Sequence, residues 1–232
     1  MLGILNLMCL TILIIIGISI LGSPEQGGAG EHFQTSSISN FSQTINPGTL
    51  SIGIVDEDFA PVSTPTVAMD PVTFSFDCQE TNGTFGSSSQ KIYVKNPDSA
   101  DGGWSASIAA ADPTAVWDSA GTDFDFNDPS TSGCSDGDDT DSLAGQMTIN
   151  PDAGTLSTGA CLNCSASNVT KGTQASFEEG VVDAITIMSG TADSDDIGDW
   201  ALTGVDISQS IPPEQPAASD YDLDLVLTIT AT

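Results

Sequence analysis

The sequence predicts an all-β protein: an antiparallel β-sandwich, jelly-roll or Ig-like, preceded by one N-terminal hydrophobic helix. Three observations carry this reading. Short apolar–polar alternations recur between clusters of Gly, Pro, Asn, Asp and Ser. Beyond the N-terminus, no window repeats apolar residues at the i, i+3, i+4, i+7 spacing of an amphipathic helix. Helix formers are scarce, with seven Glu and three Lys against 23 Gly and 12 Pro, so a helical fold lacks both pattern and material.

Taken in order, residues 1–22 contain no charged side chain, and residues 10–21 are almost wholly aliphatic. Such a run meets a membrane, either as a signal peptide or as a retained N-terminal anchor. Residues 23–30 (SPEQGGAG) form a breaker-rich linker, and Gly28-Ala29-Gly30 has the small-x-small form that a signal peptidase accepts before Glu31. Residues 31–232 read as a single sandwich domain. Leu50-Ser-Ile52-Gly-Ile54, Val72-Thr-Phe74-Ser-Phe76, Ile92-Tyr-Val94 and Ile185-Thr-Ile187 alternate as half-buried strands do. The last strand is the clearest, with Tyr221, Leu223, Leu225, Leu227 and Ile229 on one face. Residues 118–141 are the least strand-like and read as a long acidic loop or decorated hairpin. Ile211-Pro-Pro-Glu-Gln-Pro216 is a rigid extended turn into the last strand.

Charge narrows the partners. Thirty-two carboxylates face three basic side chains (Lys91, Lys95 and Lys171), for a net charge of −29. Nucleic acid is excluded, because counterion release needs a basic footprint. Anionic membrane surfaces and polyphosphate substrates are disfavoured for the same reason. Metal cations or a salt-rich exterior suit this surface, and the cell envelope or like subunits are the expected partners. An export segment together with four cysteines outside it, Cys78, Cys134, Cys161 and Cys164, points to two disulfides with three connectivities open. The expected location is therefore extracellular, at the cell surface.

Aspartate dominates the acids, 25 to seven Glu. Asp123, Asp125 and Asn127, followed past Cys134 by Asp136, Asp138 and Asp141, are candidate calcium ligands, because hard oxygen donors at alternating positions suit that ion. An EF-hand is rejected, since the mid-loop glycine and closing glutamate are missing and the flanks read as β. A solvated acidic loop is the competing reading. A second acidic group comprises Asp193, Asp195, Asp196 and Asp199. Catalysis is not expected: the single histidine, His32, sits at the start of the exported part, and neither a phosphate loop nor an H-E-x-x-H motif is present. Four N-x-S/T sequons, at Asn40, Asn82, Asn163 and Asn168, are potential glycosylation acceptors.

Two local patterns resemble known surface families. Residues 40–52, Asn40-Phe-Ser-Gln-Thr-Ile-Asn-Pro-Gly48-Thr49-Leu50-Ser-Ile52, ending in Val55-Asp56, resemble the N-terminal signature of the camelysin and TasA group. That resemblance implies a jelly-roll surface or matrix protein, in some cases polymerising by donation of an N-terminal strand. Trp200-Ala-Leu202, together with YDLDLVLTIT at residues 221–230, is similar to WxL cell-wall domains. This second likeness implies peptidoglycan association, with Trp200 and Leu202 as wall-binding candidates. For Trp104, Trp117 and Trp200 the residues themselves favour a packing role, since an aromatic in a sandwich buries a large apolar area.

Overall fold

The computed structural model describes residues 42–46, 48–97, 102–129, 133–137, 139–192, 194 and 197–232. The expected N-terminal helix, the linker, the cleavage region and His32 lie outside these residues. Residues 45–232 gather into one compact unit. It is nearly all β, and its one short helical turn among the described residues is Pro151–Ala153.

Twelve strands follow in chain order: β1 Ser51–Val55, β2 Gln79–Phe85, β3 Lys91–Asn96, β4 Trp104–Ala110, β5 Gln146–Asn150, β6 Thr155–Thr158, β7 Val169–Lys171, β8 Ala175–Ser176, β9 Ala184–Gly190, β10 Gly198–Thr203, β11 Val205–Ile211 and β12 Leu225–Ala231. They form three antiparallel four-stranded sheets, ordered β1-β3-β10-β6, β2-β11-β5-β8 and β12-β4-β9-β7. Inward residues of all three sheets share one core, including Ile92, Val94, Trp104, Ile108, Ile149, Ile187, Trp200, Leu202 and Ile207.

Alternation explains the strands it marked. In β3, Ile92 and Val94 are buried while Lys91, Tyr93 and Lys95 face outward or sideways. In β12 the apolar set is only half-buried, as an edge strand paired to β4 alone would leave it. One local departure from period two has a visible cause. The β4–β9 register shifts at Ala106/Ser107, leaving Ile187 as the extra residue and turning Met188 inward beside it. Gly190 then lies against Trp104, where a Cβ would come within 2.5 Å of the indole Nε1.

The expected strand at residues 72–76 is corrected. This segment joins no ladder, and Phe76 is 74% exposed. One backbone bond ties it to the proline-rich turn, Glu214 N–H to Ser75 carbonyl, 2.9 Å. Pro212, Pro213 and Pro216 beside Glu214 have no N–H to donate, so a continuous ladder cannot form there. Of the strands that the alternation did not mark, β2 (QETNGTF), β6, β7 and β8 carry too few apolar residues to show it, whereas β4, β5 and β11 alternate and were passed over.

Candidate functional site

The four paired cysteines settle one open question. Cys78 is bonded to Cys134 and Cys161 to Cys164, with Cα separations of 5.5 and 5.8 Å. Two disulfides fit an oxidising compartment. The first joins the residue preceding β2 to the acidic loop. The second closes a small loop in which Leu162 is 96% exposed. Asp199 of β10 holds that loop: its carboxylate accepts the Ala160 and Cys161 N–H groups at 3.2 and 3.0 Å, and the Tyr93 hydroxyl. Burial, then the hydrogen bond and charge of Asp199, push the Tyr93 phenol well above its usual range. Asp193, Asp195 and Asp196 lie outside the described residues.

Part of the acidic loop is packed into the fold, although residues such as Asp118, Gly121, Asp136 and Asp141 are exposed. Trp117 and Phe124 exchange backbone hydrogen bonds in a short hairpin, and Asp118 bridges to Asp222. Residues 124–128 are then all buried. They run along the entry to β5, with Asp125 N–H donating to Ala144 O (2.9 Å), Asp128 N–H to Gly145 O (3.0 Å) and Met147 N–H to Phe126 O (2.6 Å). Gly145, at φ +141°, allows this approach, because a Cβ there would collide with the Asp125 carbonyl. Two glutamines from the underlying sheet fasten the loop. Gln209 of β11 donates to Asp125 O at 3.0 Å and accepts from Trp117 Nε1 at 2.9 Å. Gln146 of β5 donates to Asp128 O and Phe177 O at 3.1 and 3.0 Å. Phe126 anchors the middle, meeting Phe177 edge-on with centroids 5.2 Å apart.

This stitching gathers carboxylates. One carboxylate oxygen from each of Asp125, Asp128 and Asp139 lies within 4.8 Å of the other two, and Asp136, Asp139 and Asp141 make a second such trio. Asp139 belongs to both. Asp125 is 2% exposed, and its two oxygens differ. Oδ1 accepts the Phe126 N–H at 2.7 Å, whereas Oδ2 is buried with no hydrogen-bond partner. No basic side chain answers these acids: among the described residues the ion pair within 4.0 Å is Lys171–Asp152, elsewhere. Glu179 adds a further carboxylate, accepting from Thr140 N–H and Oγ1 at 3.2 and 3.1 Å.

Of the six sequence candidates, Asp125, Asp136 and Asp141 are therefore brought together, and Asp138 lies outside the described residues. Asp123 falls in neither trio, and its Oδ1 accepts the Ser119 N–H at 3.0 Å. The buried Asn127 adjoins Asp128, and its Nδ2 donates to Pro113 O at 3.0 Å. Asp128 and Asp139, in the same acidic groups, were left out as ligands, because an alternating template skips them. The chain here bends around β5 instead of forming an EF-hand loop. Trp200 and Leu202 are also corrected as wall contacts: both are fully buried, and Trp200 Nε1 donates to Ser165 O at 2.9 Å. Neither side chain presents a surface to a polymer in this fold. Of the three tryptophans, Trp117 alone lines a surface groove of about 530 Å3, with Phe124, Tyr221 and Phe74.

Burial, with repulsion from Asp141 and Asp139 and against hydrogen bonds from the Phe126 and Asn127 N–H groups, raises Asp125 from 3.8 to about 7. Asp139 is also raised, first by burial and then by Asp141, Asp128 and Glu179. Between the two Asp125 values the folded protein holds a proton that the unfolded chain has released, so stability in a chelator falls as pH rises. The contribution is complete below the unfolded value and lost as pH passes about 7. Urea midpoints in EDTA should accordingly drop between about pH 4 and about pH 7 and level off above, and Asp125→Asn should flatten the drop. An unchanged slope in that variant would assign the titration to another group.

The fold and its cross-links define a disulfide-bonded, acidic all-β protein. No protein-family model, curated protein or solved structure matches the chain.

Proposed function

We propose that this chain is an exported, non-catalytic protein of the cell surface, a structural or adhesive component of the envelope built on a β-sandwich. The observation that carries the reading is the pair of disulfides, one of which cross-links residues 56 apart in sequence. Bonds of this kind persist where thiols are kept oxidised. The apolar run at residues 1–22 and the local resemblance to camelysin and TasA proteins support export. The sandwich reading rests on the sharing of one core by inward residues of all three sheets. Among the described residues no helix is long and apolar enough to cross a membrane. The test is fractionation of the native host with alkylation of thiols before and after reduction. Recovery in the surface or medium fraction, with four cysteines protected until reduction, is expected. Cytosolic protein with free thiols would refute the proposal.

A second reading, a polymerising subunit, is favoured by β12. Its ladder partner among the described residues is β4, so its other backbone edge, beside half-buried Leu225, Leu227 and Ile229, joins no ladder there, although β1 lies close by. A strand from a like subunit would complete it through backbone hydrogen bonds. In this version residues 31–43 leave their own subunit to supply that strand. Regular filaments in negative-stain images of surface preparations would select this reading, and isolated particles would select the first.

A further inference from the structure

We infer that Asp125, Asp128 and Asp139 form the inner half of a calcium site, with Asp136 and Asp141 completing it from the outer side. Convergent aspartates alone would not carry this, since exposed acidic clusters are common on extracellular proteins. The independent observation is the Asp125 side chain. It is 2% exposed, it belongs to the inner trio, and its Oδ2 has no hydrogen-bond partner. A buried carboxylate oxygen without a donor is costly unless a proton or a cation meets it. Among the described residues no basic side chain pairs with it, so a proton or a small cation must meet this oxygen, and the convergence of the Asp128 and Asp139 carboxylates on the same place points to the cation.

The donor chemistry selects the ion. All five groups are carboxylates, with neither imidazole nor thiolate among them, which favours hard cations over zinc or copper. Calcium accepts about six to eight oxygens in irregular geometry, whereas magnesium demands a near-octahedral set and keeps its waters. Five carboxylates on a bent loop suit the larger ion. The support is rigid where the site needs it: Gln209 and Gln146 hold the Asp125 and Asp128 carbonyls from the sheet below. The outer acids ride on turns, in which Asp139 Oδ1 accepts the Asp141 N–H at 3.2 Å and Asp141 Oδ1 accepts the Leu143 N–H at 2.7 Å. Calcium would therefore clamp Asp136, Asp139 and Asp141 onto the buried stretch 125–128, on the segment that also carries the Cys134 cross-link. This inference stands apart from the reading of function above.

Isothermal titration of the EDTA-stripped, disulfide-intact protein with calcium chloride, and separately with magnesium chloride, tests it. Saturable calcium binding is expected, with magnesium weaker. The melting temperature should rise by roughly 5–10 °C at a hundredfold excess over Kd. Asp125→Asn keeps the shape of the side chain and should weaken calcium binding about tenfold or more. Asp139→Asn, on the accessible side, should do the same without touching the buried stretch. Asp123→Asn, outside both trios, should bind as the wild type does. Absence of saturable calcium heat would overturn the proposal. Equal affinity in the wild type, Asp125→Asn and Asp139→Asn would overturn it too, because the ion would then sit on the general acidic surface.

Discussion

Replacing Cys78 and Cys134 together by serine is expected to be among the most damaging changes to this fold, costing about 4 kcal/mol by loop closure. The figure follows from their separation of 56 residues, which gives the reduced, unfolded chain a large gain in freedom. For a domain of this size the melting temperature should fall by roughly 8–16 °C. The damage should also be local. Cys134 fastens the acidic loop to the residue before β2, so limited proteolysis of the variant should cut first within residues 118–141. The Cys161–Cys164 bond closes a loop of sequence separation three, and its double-serine variant should lose only about 2 kcal/mol. Urea unfolding of both variants checks the order. Equal losses, or no loss at Cys78/Cys134, would contradict this account of what the long cross-link does.

Trp200→Ala should be comparably severe, at about 3–5 kcal/mol. The indole is fully buried, lies 5.4 Å centroid-to-centroid from Trp104, and donates to Ser165 O. Its removal leaves a cavity between the strands and a carbonyl without its donor. Trp200→Phe keeps most of the ring volume and should lose less, about 1–3 kcal/mol, chiefly through that lost hydrogen bond. A surface role predicts the reverse pattern. If Trp200 met a wall polymer directly, Trp200→Ala would keep the urea midpoint and lose only co-sedimentation with peptidoglycan. Parallel measurements of midpoint and sedimentation separate the two.

How much was legible depended on the range of the interaction. Period-two alternation is a property of neighbouring residues, and it located β1, β3, β9 and β12. It misplaced residues 72–76, where the neighbouring proline-rich turn donates one backbone hydrogen bond, from Glu214, and cannot continue a ladder. The pairing partner is not written in the segment itself. The acidic site shows the same limit. Composition pointed to residues 123–141, and Asp125, Asp136 and Asp141 do converge there. Asp128 and Asp139 lie in the same acidic groups, but that they converge with Asp125 was not legible, because it depends on the fold-back of residues 125–128 along 144–147 and on two glutamines distant in sequence.

By itself, then, the sequence determined the β class, the acidic character, the even cysteine set and the loop where carboxylates concentrate. Each follows from residue type and short-range pattern. Tertiary structure alone decided which cysteines pair, which residues surround Trp200, and that a composition suited to a solvated loop is buried at residues 124–128. Those outcomes depend on contacts between residues far apart in the chain, such as Gln209 with Asp125, and only the closed fold brings such residues together.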